Sequence, residues 1–209
     1  GLGILYLHVS LLWVVSFIGL MIGSARQEVE IREQVSWLAQ HDPLTRLPNR
    51  QAFMERLQTL LSSPRQEGAA RMLLDLDLDH FKDLNDAEGE SAGDQVMRDV
   101  AVLLGGEVRA GDQVGRIGGD EFAVLLDNCR MIEACSIAEN IRSAVERYEY
   151  RGTRGVYRVE VSVGLLELTD HHRSAEGALH AAQTACFEAR RTGGNCVWVY
   201  SDRASADET

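Results

Sequence analysis

The first 25 residues contain no Asp, Glu, Lys or Arg. Within them, residues 4–22 are apolar apart from Tyr6, His8, Ser10 and Ser16. A run of this length suffices for one helical crossing of a bilayer, which needs roughly 20 apolar residues. The competing reading is an apolar helix buried in a soluble protein. A signal peptide calls for a basic start and a small-residue cleavage site, and neither is present. Residues 1–24 are therefore expected to be a transmembrane helix. Because the chain opens on Gly1 rather than Met, that helix is expected to be the last membrane segment of a longer protein. Arg26 and Arg32 follow it and favour a cytoplasmic C-terminal side.

Residues 25–41 change character. They hold neither Gly nor Pro, and Ile31, Val35 and Leu38 fall on one helical stripe. This predicts a linker helix leaving the membrane, with a stripe able to pair with a second copy as a short coiled coil.

The remainder is acidic. The chain carries 21 Lys and Arg against 32 Asp and Glu, a net charge of −11. Duplex nucleic acid rewards a basic face, so no nucleic-acid partner is expected. A phosphate compound remains compatible if cations bridge the two negative partners. Four cysteines, at 129, 135, 186 and 196, show no C-x-x-C spacing. They are read as free thiols rather than zinc ligands.

From residue 42 to 201 helical and strand signals alternate, predicting an α/β domain, with residues 202–209 a disordered tail. Asp42 and Pro43 fit an N-cap and first helical position. Residues 49–62 read as a helix through Phe53, Leu57, Leu60 and Leu61. Residues 71–77 form a strand, with Leu74, Leu76 and Leu78 alternating with Asp75, Asp77 and Asp79. Residues 92–108 are an amphipathic helix. Val114 to Leu126 predicts a hairpin centred on Gly118 and Gly119, glycines that tolerate the positive φ of a tight turn. Helices follow at 131–148 and 175–191, with strands at 157–166 and 196–200.

The carboxylates suggest the chemistry. Asp77 ends a strand and Asp120 and Glu121 flank the hairpin turn. Acids converging from neighbouring strands repel unless a cation lies between them. Hard oxygen donors suit Mg2+ or Mn2+, which keeps coordination sites open for phosphate. Such ions lower the barrier to displacement at phosphorus.

Three blocks sharpen this reading. Residues 41–50 read HDPLTRLPNR, residues 77–94 DLDHFKDLNDAEGESAGD, and residues 116–122 RIGGDEF. In order and spacing they resemble the GGDEF-domain family of diguanylate cyclases, over roughly residues 40–200. The resemblance implies a mainly antiparallel central sheet flanked by helices, similar to the class III nucleotide cyclases and the polymerase palm. It implies condensation of two GTP molecules into cyclic di-GMP and two pyrophosphates, at the interface of a homodimer. With the apolar run before it, the expected location is the inner membrane, with the catalytic domain in the cytoplasm.

By the same resemblance, Asp77 and Asp120 match side-chain metal ligands and the Leu78 carbonyl a backbone ligand. Asp120 or Glu121 helps to activate the 3′-hydroxyl. Gly118 and Gly119 let the nucleotide approach the backbone. Asn85 and Asp94 match the guanine readers. Backbone near His80 and Phe81, with Lys82, matches the holders of the terminal phosphates. Arg116 is cast as a stabiliser of transition-state charge. Thr45, Leu47, Asn49 and Arg50 fix the junction with the incoming helix.

Three departures stand out. Glu90 replaces a histidine and adds negative charge near the nucleotide. Near the C-terminus, Arg190 replaces a phosphate-binding lysine, with different geometry, and Gly194 replaces an arginine, so one phosphate contact is missing unless Arg191 supplies it. Arg109 and Asp112, before the hairpin, match the family's inhibitory R-x-x-D site, where product binds. The expected function is a membrane-anchored diguanylate cyclase with product inhibition. The alternatives are a catalytically weak cyclic di-GMP receptor and a GTP-binding domain that activates a partner domain.

Overall fold

The computed structural model describes residues 34–64 and 69–201, together with Met21 and Gln27. The expected transmembrane helix, most of the linker helix and the tail lie outside the described residues. Among the described residues, no helix is long and apolar enough to cross a membrane. The chain divides into two units, Gly1–Gln40 and His41–Thr209. In the first, residues 34–40 are helical (α1).

The second unit runs α2 (Arg50–Ser62), β1 (Met72–Asp79), α3 (Phe81–Glu88), α4 (Glu90–Glu107), β2 (Gln113–Arg116), β3 (Glu121–Leu126), α5 (Met131–Glu146), β4 (Glu149–Arg151), β5 (Val156–Arg158), β6 (Glu160–Glu167), α6 (Ala175–Arg191) and β7 (Val197–Val199). Five strands form one sheet in the order β2-β3-β1-β6-β7, and β4 and β5 pair separately. The pairs β2–β3, β3–β1 and β1–β6 are antiparallel, but β7 lies parallel to β6. The sheet is therefore mixed, which corrects the mainly antiparallel expectation. The cause is the 17-residue helix α6 between β6 and β7. A helical crossover returns the chain to the same end of the sheet, and parallel neighbours need such a connection.

Strand alternation sorts the core into two layers. Met72, Leu74, Leu76 and Leu78 point into the layer made with α4 and α5, alongside Phe122, Val124 and Val161. Leu73, Ala123 and Leu125 point to the other face, against α2 and α6. Phe122 is a fully buried core residue. The odd-numbered face of β1 begins apolar at Leu73 and continues as Asp75, Asp77 and Asp79. Its acids thus lie on the α6 side, at the C-terminal end of the central strand.

Three local expectations are corrected. Residues 43–45 form a turn rather than a helix. Asp42 accepts from the Thr45 N–H at 2.8 Å and the Thr45 hydroxyl at 2.7 Å, which closes that turn on a side chain. The expected strand 157–166 is broken at Val159, where the chain passes from the β4–β5 hairpin to β6. Helix α3 is an element that the sequence patterns do not signal; it starts after His80, whose left-handed φ of 58° turns the chain off β1. All four cysteines are free thiols.

Candidate active site

The register of β1 sets the acid positions. Asp77 faces Glu121 on β3 and Ser162 on β6, while Asp75 faces Ala123 and Gly164. Directly opposed residues of an antiparallel pair share one face and lie close together, so Asp77 and Glu121 meet side by side with Asp75 diagonal to Glu121. Asp79 is a structural residue. Both its oxygens accept from the Ser162 hydroxyl, at 3.0 and 2.9 Å, and Oδ2 also accepts from the Asn195 N–H at 2.9 Å.

Helix α6 covers this acid face at close range. A Cβ on Gly164 would land on the Ala182 carbonyl oxygen and the Cys186 backbone nitrogen. Glycine therefore brings the helix backbone down onto β6. Gln183, Cys186, Phe187 and Arg190, at helical spacing, line with Asp75, Asp77 and Glu121 a pocket of about 210 Å³. Gln183 donates to Glu121 Oε1. Arg190 Nη1 donates to Asp77 Oδ2 at 2.7 Å, and its Nε lies 3.9 Å from Asp79. Desolvation pushes the Asp77 carboxyl up to about 6, against the pull of Arg190, and the neighbouring acids add to the rise. Burial and then Glu121 raise Asp75 well above the usual carboxylate range.

The hairpin turn departs from expectation in one respect. Neither Gly118 nor Gly119 has a positive φ. What Gly118 supplies is space: a Cβ there would stand 3.2 Å from Glu121 Oε2, and nothing lies within 4 Å of one on Gly119. Asp120 follows, with its carbonyl accepting from the Leu78 N–H at 3.2 Å. Arg116 is bound to protein partners. It donates to the carbonyls of Gly118 at 3.1 Å and Gly119 at 2.7 Å, and to both Asp42 oxygens at 3.0 and 3.1 Å. Its geometry is that of a positioning residue for the turn, in place of a cation standing free toward a reacting phosphate. Asp42 ties that turn to the start of the domain. The Asn49 side chain caps α2 through the Ala52 N–H, and Arg50 pairs with Glu176 at 3.0 Å.

Beyond the acids lies a cleft of about 400 Å³, lined by Leu78, Asp79, the 80–83 turn, Asp120, Arg190, Gly193 and Gly194. The N-terminus of α3 opens into it, carrying Phe81 and the exposed Lys82. Gly194 has a φ of 77°, and a Cβ there would come within 3.1 Å of Asp79. The missing arginine is thus explained by a backbone that needs glycine. Arg191, exposed, bonds to Glu188 at 2.7 Å. Asn85 packs on Gly93, where a Cβ would land on the Asn85 oxygen. That Oδ1 is buried without a hydrogen-bond partner. Asp94 is half-exposed, 4.0 Å from Arg98. Glu90 opens α4, where the helix dipole favours a carboxylate. Glu88, ending α3, accepts from the Thr153 hydroxyl at 2.8 Å and the Thr153 and Arg154 amides at 2.8 and 2.7 Å. Desolvation opposes them, yet these donors bring its carboxyl down to about 2.

Arg109 and Asp112 sit together before β2. Asp112 accepts from the Arg109 backbone N–H at 3.1 Å, and its carboxylate is 4.0 Å from the exposed Arg109 guanidinium.

The acid face suits a divalent cation. Asp77 Oδ1 is buried and unpartnered, and among the described residues the cation bonded to Asp77 is Arg190, whose side chain is half-exposed. Among the described residues no three His, Cys, Asp or Glu side chains close into a cage. A cation here would take further ligands from water and phosphate, as Mg2+ commonly does.

Comparison with known proteins agrees with this architecture. The family described as "Diguanylate cyclase, GGDEF domain" matches residues 39–196. The chain belongs to the GGDEF diguanylate cyclase domain family. It is 35% identical over 187 residues to the probable diguanylate cyclase DgcE of Escherichia coli, covering 90% of this chain and 17% of that protein. It is 35% identical over 150 residues to the Escherichia coli diguanylate cyclase DgcP, covering 72% of this chain and 44% of that one. The chain thus spans less than half the length of either relative. Among solved structures it is similar to the coiled coil and GGDEF domain of DgcB from Caulobacter crescentus in complex with cyclic di-GMP, with a TM-score of 0.79 and 28% identity over 89% of this chain and 98% of that one. It is also similar to the diguanylate cyclase SiaD of Pseudomonas aeruginosa, solved with its activator SiaC, with a TM-score of 0.72 and 31% identity over 84% of this chain and 68% of that one.

Proposed function

We propose that this chain is a diguanylate cyclase acting as a homodimer, with one GTP on each domain. The observation that carries the reading is the acid face itself. Asp77 and Glu121 face each other on β1 and β3, Asp120 precedes β3 and lines the adjoining open cleft, and Asp77 keeps a buried oxygen without a partner. In the reaction each 3′-hydroxyl attacks the α-phosphorus of the opposite GTP, the bond to the bridging β-phosphate oxygen breaks, and pyrophosphate leaves. The hydroxyl proton passes to Asp120 or Glu121. Two such displacements give cyclic di-GMP and two pyrophosphates. Asp77, Asp120 and the Leu78 carbonyl would hold Mg2+ or Mn2+, which would supply Lewis-acid stabilisation of phosphoryl charge.

The remaining roles follow from position. Gly118 and Gly119 leave the turn open to the nucleotide. The unpartnered Asn85 oxygen accepts from a guanine N–H, and Asp94 accepts from another. The α3 N-terminus, with Phe81 and Lys82, holds the terminal phosphates, and Arg190, paired with Asp77 here, would be free to bind phosphate with a cation on that acid. Arg109 and Asp112 open to bind cyclic di-GMP and lower the rate. The apolar run 4–22 anchors the chain in the inner membrane with the domain on the cytoplasmic side.

The full chain, purified and stripped of bound cyclic di-GMP, is expected to convert GTP and Mg2+ into cyclic di-GMP. The rate per molecule should steepen with protein concentration, because two domains must meet. Glu90 and Gly194 favour a second reading, a receptor without turnover. No product at any concentration, with cyclic di-GMP still bound, would select that reading.

A further inference from the structure

We infer that Gln183 is a positioning residue for Glu121, an inference that rests on the cyclase reading above. A glutamine within a helix carries no motif signal, so Gln183 is not legible as a site residue in the sequence. Its place follows from the close docking of α6 at Gly164. That contact sets one stripe of the helix against the acids, with Gln183 facing Glu121 and Arg190 facing Asp77. The two polar partners differ in kind. Arg190 is a charge that a metal ion displaces. Gln183 is neutral, and its Nε2 donates to one oxygen of one acid.

The bond sorts the two oxygens of Glu121. Oε1 is held by Gln183, while Oε2 lies beside Gly118, 3.2 Å from where a Cβ would stand. The carboxylate is thereby fixed edge-on, one oxygen toward the helix and one toward the turn where the nucleotide binds. Asp75 makes this hold necessary. It is 3% exposed, its Oδ1 has no hydrogen-bond partner, and it stands diagonal to Glu121 on the same face. Without an amide donor on the helix side, Glu121 would be left with the buried Asp75 carboxyl as its side-chain partner. An amide meets the requirement where a carboxylate does not, since Gln donates and an ionised Glu only accepts. Misplacing a reacting group by about 1 Å costs as much as 100-fold in rate.

The test is steady-state kinetics of the full chain with Gln183→Leu and Gln183→Glu, each checked for folding by thermal melting. The isosteric Gln183→Glu keeps the shape and removes the donor. Both variants should lose kcat by about 10- to 100-fold with KM for GTP within about threefold, since Gln183 holds the acid and not the nucleotide. Gln183→Glu should fare no better than Gln183→Leu. Wild-type kcat in both variants, or a loss confined to KM, overturns the inference while leaving the cyclase reading intact. Should the wild-type chain make no product, the cyclase reading fails by itself, and a crystal structure of Gln183→Leu still decides the positioning. Glu121 Oε2 should leave Gly118; an unmoved carboxylate refutes the role.

Discussion

Asp77→Asn should lower cyclic di-GMP formation by about 1000-fold, the worth of several kcal/mol of phosphoryl charge stabilisation. The substitution is nearly isosteric and keeps the backbone pairing with β3 and β6, giving up the charge on the Arg190 contact. Melting should therefore hold while turnover falls. A second readout follows from the charge state. Desolvation lifts Asp77 to about 6, although Arg190 opposes it. A proton and a divalent cation thus compete for the same oxygens over an accessible range. Above about pH 6 the carboxylate is ionised and free to bind; below it each proton taken up must be released when the cation enters. Calorimetric Mn2+ affinity of the wild type should fall about tenfold per pH unit below about 6. That slope should flatten in Asp77→Asn. A flat profile in the wild type would show that Asp77 is not a ligand.

Gly164→Ala should cost about 3 kcal/mol, the upper end of ordinary overpacking. The added Cβ strikes the backbone of α6 at Ala182 and Cys186, which no rotamer change relieves. For a domain of this size the melting temperature should drop by roughly 6–12 °C. Activity should fall as well, because the helix that must move carries Gln183 and Arg190. Gly105→Ala is the contrasting case. It lies in α4 with nothing within 4 Å of its Cβ, so the helix should gain about 0.5–1 kcal/mol. Equal melting of the two variants would contradict the proposed docking of α6 on β6.

Much of this fold is legible in the order of the residues. The alternation of leucines and aspartates along β1 assigns faces correctly, because strand side chains alternate with a period of two. Helix α6 is legible in full from its spacing. The parallel placement of β7 is not, since a short strand does not say which neighbour or direction it takes. Helix α3 is hidden behind His80, whose left-handed backbone no local rule demands. The site divides in the same way. Asp77, Asp120 and Glu121 lie within motifs, so the meeting of Asp77 with Glu121 is expected once the strands are neighbours. Gln183, the binding of Arg116 to Asp42, and the reason for Gly194 depend on contacts between segments far apart in sequence. The two hairpin glycines are expected to serve a positive φ, and instead Gly118 serves by lacking a side chain next to Glu121.

The most direct test of the cyclase reading pairs the wild-type chain with Asp120→Ala, both freed of bound cyclic di-GMP. Each is assayed for product from GTP and Mg2+ and for cyclic di-GMP affinity. Asp120→Ala is expected to lose turnover and keep wild-type affinity, since the proposed product site, Arg109 and Asp112, does not include Asp120. Turnover that survives in Asp120→Ala, or a wild type that never forms cyclic di-GMP, would contradict the reading.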